Sequence, residues 1–189
     1  MGNRKDQILE TAAELMQTRA FSAFSYQDIA DRLGITKAAI HSHYRTKEIL
    51  GNALLERSIE NLKEFHRNVD AHSDDAWDKF DALFAASVDM VADENKVCPV
   101  GVLQVEHNVI QESMQKGVMK FYSTNRDWIT EMLKQGRDEG VMSFQGNPEH
   151  QAELILATTQ GALQNARADR LEILSNIANQ IKMNMQPTQ

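Results

Sequence analysis

Lys37, Ala38, Ala39, His41, Ser42, His43, Tyr44 and Lys47 crowd one short stretch, and their types suit polyanion recognition better than bond-breaking. Lys37, Arg45 and Lys47 bring three cations into Gly34–Lys47, where there is no acid. Two alanines allow close backbone approach to base edges and can touch thymine methyls, but they offer no bidentate hydrogen bond. Direct readout is therefore expected to be modest, supported by phosphate contacts and DNA shape. Lys47 follows Thr46, a residue suited to cap a helix, so a phosphate there would meet the lysine, free N–H groups and the helix dipole together.

These residues need a frame, and the surrounding sequence supplies one. Ser25 with Asp28 three residues on is a capping-box pattern, followed by a predicted helix from Tyr26 to Leu33. Gly34 suits the left-handed end of that helix, and Thr36 caps the next, Lys37 to Tyr44. Ile29 with Leu33, and Ile40 with Tyr44, lie four apart and define inward faces. Two capped helices about a glycine turn form a helix-turn-helix, whose second helix enters the major groove. Ser25 and Tyr26, at the start of its first helix, join the candidate DNA contacts.

The segment Ile8–Leu50, ILETAAELMQTRAFSAFSYQDIADRLGITKAAIHSHYRTKEIL, resembles the TetR (tetracycline-repressor-like) family of transcriptional regulators. The resemblance rests on an apolar first helix, Phe21 and Phe24, and the runs DIA, LGIT, HY and TKE. It implies an all-helical homodimer with DNA binding at the N-terminus and effector binding at the C-terminus. His41 stands where the family usually has tyrosine, and Ser42 where it usually has a larger polar or aromatic residue.

A second group of residues could sense a small molecule. Pro99 suits the first position of a helix, which puts Cys98 at the N-cap beside Lys96. Both neighbours favour a thiolate, so Cys98 reads either as a sensor of oxidants and electrophiles or as a small buried hydrophobe. The C-x-x-G run Cys98–Gly101 also resembles a segment found in a subset of the family, some of whose members sense electrophiles. Phe84, Met90, Tyr122 and Trp128 read equally as pocket lining and as core. Gln104 and His107 could orient a ligand. No His/Cys group has zinc spacing, and no metal or cofactor is expected.

Long helices carry the rest of the 189 residues, with prolines only at 99, 148 and 187. Apolar periodicity predicts helices over Arg4–Thr18, Thr46–His66, Trp77–Val91, Val100–Ile110, Met114–Arg137, Pro148–Arg167 and Asp169–Met185, with Asn68–Asp75 as a loop. The expected fold is all-α. A three-helix helix-turn-helix domain spans residues 1–47, and a helical effector-binding and dimerisation domain spans 48–189. Leu171, Leu174, Ala178, Ile181 and Met185 recur at 3-4-3-4 spacing, and Leu154, Ala157, Gly161 and Ala162 form a small-residue face. Leu154, Gly161, Leu171, Leu174, Ala178 and Ile181 are therefore expected in a four-helix dimer interface.

Net charge is −7, yet residues 1–57 hold eight Lys/Arg against seven Asp/Glu, and the remainder twelve against twenty. The acidity thus belongs to the C-terminal body, which leaves the N-terminal part free to face DNA. One cysteine fits a reducing compartment, and the longest uncharged run is too short to span a bilayer, so a cytoplasmic protein is expected. The reading is a DNA-binding repressor released from its operator by an apolar or electrophilic molecule. The alternatives are a helical enzyme or binding protein with a merely structural helix-turn-helix, and an architectural DNA-binding protein without an effector. The enzyme lacks a nucleophile–base pair, a phosphate loop and a metal constellation in the sequence.

Overall fold

The computed structural model describes residues 3–92, 96–167 and 171–187, which form nine helices and no strand. In order they are α1 (Arg4–Arg19), α2 (Tyr26–Leu33), α3 (Lys37–His43), α4 (Lys47–His72), α5 (Ala76–Ala92), α6 (Pro99–Val105), α7 (Glu112–Asp138), α8 (Pro148–Ala166) and α9 (Glu172–Met185). The protein is all-α, with an N-terminal helix-turn-helix followed by a helical C-terminal part. The chain divides into two compact units, Met1–Asn61 with Cys98–Phe121, and Leu62–Val97 with Tyr122–Gln189. The functional boundary expected at residue 47 therefore differs from the division by compactness, because α6 and the first part of α7 belong with the helix-turn-helix. Helices α4 and α7 each contribute residues to both units.

In the first unit the local signals act as the sequence requires. Asn3 caps α1 by accepting from the Lys5 N–H at 2.7 Å. Ile8, Ala12, Leu15 and Met16 form its buried stripe, and α1 packs on both α2 and α6. The capping box of Ser25 and Asp28 is formed, Gly34 takes φ +62° at the end of α2, and Thr36 Oγ1 accepts from the Ala39 N–H. Gly51 on α4 is a close-approach position. A Cβ there would lie 2.9 Å from the Phe21 ring and nearer still to the Met114 thioether. Gly117 admits Leu55 in the same way, so α4 and α7 lie close without side-chain spacers.

The second unit is built on Phe80, Leu83, Phe84, Ile129, Met132, Leu133, Ile155, Leu156 and neighbouring buried residues of α5, α7, α8 and α9. Its polar layer centres on His66, which is buried and stacks on Trp128 at 4.4 Å with nearly parallel rings. His66 Nε2 lies 3.1 Å from Asn125 Oδ1, and Trp128 Nε1–H donates to Asp70, which also pairs with Lys79 at 3.2 Å. Burial pushes the His66 pKa down.

Several boundaries differ from the sequence expectation, each for a local reason. Helix α4 continues to His72, through part of the expected loop, because 67–72 contains no glycine or proline and Asp70 finds partners on α5 and α7. Helix α6 stops at Val105, short of Ile110, since Glu106 turns its carboxylate to the α1–α2 turn and residues 106–110 form turns. Helix α7 starts two residues early, at Glu112. Residues 93–95, between α5 and α6, lie outside the described residues, as does the expected start of the last helix at Asp169.

Candidate nucleic-acid interface

The exposed side of the helix-turn-helix carries Ser25, Lys37, Ala38, His41, Ser42, His43, Arg45 and Thr46, with Ala39 half-buried beside them. Ile40, fully buried, anchors α3 from below. Only two residues of the expected contact set fall in the core. Tyr26 and Tyr44 are 8 % and 2 % exposed, and the Tyr26 hydroxyl donates to the Tyr44 carbonyl at 2.8 Å. Burial first, and then the nearby Tyr44, push the Tyr26 pKa up to about 12. These tyrosines fix how α2 and the end of α3 meet, which corrects their assignment as direct DNA contacts.

Two polar side chains of α3 are turned back on their own backbone. The Ser42 hydroxyl donates to the Ala39 carbonyl at 2.8 Å. His41 Nδ1 lies 3.2 Å from the Arg45 carbonyl, and its ring meets Tyr26 edge-on at 4.8 Å. A carbonyl only accepts, so Nδ1–H is the donor in this contact. At the start of α2, Asp28 accepts from the Ser25 hydroxyl at 2.7 Å and its N–H at 2.8 Å, which holds this carboxyl below the usual carboxylate range.

Lys47 does not stand free at the surface. It is half-buried, its ammonium 4.8 Å from the Phe21 ring centre and 4.4 Å from that of Phe24, and it donates to the Phe24 carbonyl. Burial pushes its pKa down, against the opposing pull of Glu106 and Asp28. The expected phosphate lysine is thus held inside the first unit. Arg45, absent from the expected contact set, is exposed at the end of α3. Its signal was the acid-free run Gly34–Lys47.

The expected effector residues separate between the units. Cys98, Gln104 and His107 belong to the first, Phe84, Met90, Tyr122 and Trp128 to the second. Cys98 is buried and makes no cap hydrogen bond, and Gln104 and His107 are exposed. Phe84 lies in the core of the second unit with Tyr122 and Trp128 packed against it, whereas Met90 is outside that cluster. The expected dimer seam also divides. Leu174 and Ala178 are buried within their own chain and Ile181 packs on the same core, so this run of α9 is largely an internal seam. Leu154 (57 % exposed), Leu171 and Met183 remain exposed, and a Cβ on Gly161 would meet nothing within 4 Å. Among the described residues no group of three or more His, Cys, Asp or Glu could hold a metal ion, and no helix is long and apolar enough to cross a membrane.

A short helix with small outward side chains, flanked by exposed cations and braced by a capped partner helix, defines a DNA-binding regulator of the helix-turn-helix class. Residues 8–54 match the family of bacterial regulatory proteins, tetR family. The fold matches a TetR-family transcriptional regulator from Agrobacterium tumefaciens with a TM-score of 0.93, 25% identity and 97% of each chain covered. The chain is 22% identical to the HTH-type transcriptional repressor NemR of Escherichia coli, over 94% of this chain and 92% of that one. It is 24% identical to the HTH-type transcriptional repressor KstR2 of Mycolicibacterium smegmatis, over 81% and 72%. The helix-turn-helix of this chain thus belongs to the tetR family of bacterial regulatory proteins, and the whole fold is that of a TetR-family transcriptional regulator.

Proposed function

We propose that the protein acts as a homodimer on a two-fold operator, with α3 of each copy in the major groove and half-sites about 34–36 Å apart. Lys37 and Arg45 serve as phosphate contacts, and Ala38, Ala39, Ser42 and His43 face the bases. His41 is held at the edge of this surface by Tyr26 and Arg45. The observation that carries the reading is the outward face of α3, exposed and bordered by cations while Ile40, Tyr26 and Tyr44 lock its inner side. The copies meet through the exposed residues Leu154, Gly161 and Leu171.

The effector is a small apolar molecule that lodges in the second unit against Phe84, Tyr122 and Trp128. It lowers operator affinity through α4 and α7, whose residues belong to both units, and its effect is limited by its differential affinity for the two DNA-spacing states. The buried Cys98 favours non-covalent sensing over an exposed reactive thiol. The test is a gel shift of the protein's own promoter, titrated with an apolar compound panel and an electrophile panel, with tryptophan fluorescence read in parallel. Trp77 and Trp128 are the two tryptophans, so an apolar releaser should alter emission, and Trp128→Phe should reduce that signal. Release by electrophiles that Cys98→Ser abolishes would overturn the non-covalent reading.

A further inference from the structure

We propose that Glu106 is a positioning residue for DNA binding, which holds a strained turn between α1 and α2 in the conformation that sets the helix-turn-helix. Ala20, at the end of α1, has φ +103° and ψ +156°. Among the described residues it is the one non-glycine residue with positive φ. That region of backbone space is open essentially only to glycine and persists where surrounding structure over-determines it. The over-determining group is 85 residues away. The Phe21 N–H donates to Glu106 Oε2 at 2.9 Å, and the Ser22 N–H donates to Oε1 at 3.0 Å. The Ser22 hydroxyl also donates to Oε1. Three donors from consecutive residues therefore converge on one carboxylate, delivered by the end of α6, which itself packs on α1.

The turn so held feeds the DNA-binding surface from two sides. Phe21 packs at the close-approach position Gly51 and forms the Lys47 slot with Phe24. Ser25, five residues past Ala20, caps α2, and α2 packs on α3. Without the carboxylate, Ala20 relaxes toward negative φ, the chain entering α2 changes direction, and α3 moves with it. This rests on DNA binding through α3, as proposed above.

The test compares wild type, Glu106→Gln, Ala20→Gly and the double variant, by fluorescence anisotropy with a promoter fragment and a scrambled duplex, and by thermal melting. Glycine adopts the Ala20 conformation without strain, so Ala20→Gly should raise the melting temperature and stand in for the missing carboxylate. Glu106→Gln should lose promoter affinity by about tenfold while still folded, the shift one strained residue can drive. The double variant should recover most of that loss. Ser22→Ala, which removes a single arm, should give a smaller loss with the same rescue, and it serves if Glu106→Gln does not fold. Wild-type affinity in Glu106→Gln with only a lowered melting temperature would make the carboxylate a fold staple and overturn the proposal. So would an affinity loss that Ala20→Gly leaves untouched. Wild type unable to distinguish promoter from scrambled duplex would instead remove the DNA-binding reading itself.

Discussion

Replacing Lys47 with alanine separates two roles for one ammonium group. In the free protein that group lies over two phenyl rings and donates to the Phe24 carbonyl. Each cation–π contact at a partly exposed site is worth about 0.5–1 kcal/mol. A hydrogen bond from a charged donor adds about 1.5–3 kcal/mol, reduced here because the group is only half-buried. The substitution should therefore destabilise the protein by about 2 kcal/mol. For a chain of this size that is about 4–8 °C in melting temperature. DNA affinity should fall modestly, and the slope of log affinity against log salt should stay nearly unchanged, because the lysine is held internally. The assays are differential scanning calorimetry and anisotropy titrations across a salt series. An unchanged melting temperature with a slope reduced by about 0.9, the signature of one lost phosphate contact, would refute this reasoning.

Other perturbations test other joints. His66 is buried and its pKa is lowered, so it is neutral in the folded state while the unfolded chain takes up a proton below about 6.5. Its stabilising contribution is complete above that pH and is lost as pH falls through the lower folded value. His66→Phe should flatten this acid limb in denaturant titrations and keep the stack on Trp128. Gly51→Ala should cost about 1–3 kcal/mol in the same measurement, because its Cβ would press on Phe21 and Met114. Leu154→Asp should yield a folded monomer by light scattering, since Leu154 is exposed within its own chain. Ile181→Asp should instead lower stability, because Ile181 packs on the core; the reverse pattern would restore the α9 seam as the interface.

Short-range features were legible because they are written within four residues. The Ser25–Asp28 box, the Thr36 cap, the Gly34 turn and the inward Ile29 and Ile40 are all set by propensity and spacing. The continuation of α4 to His72 was not legible, because a polar run reads as loop until its partners on α5 and α7 are known. The same holds for Lys47 and Glu106, whose partners lie 23 and 85 residues away. The period of α9 was visible, but a seam does not say whether its partner is another helix of the same chain or a second copy. Tyr26 and Tyr44 fit both surface and core until the hydroxyl-to-carbonyl bond between them placed them inside.

The inward turn of the Ser42 hydroxyl and the Nδ1–H of His41 has a consequence for the bases that α3 would read in the proposed complex. In the proposed complex α3 would meet the groove with the methyl groups of Ala38 and Ala39 and few free donors, so the base feature it would register best is the C5-methyl of thymine. A duplex with deoxyuridine in place of thymine keeps every hydrogen-bonding edge yet should bind more weakly. Cytosine methylated at C5 presents a methyl in the same position, so at a contacted site it imitates thymine. Chemical marking of DNA, with no change of sequence, would then shift which sites this protein occupies.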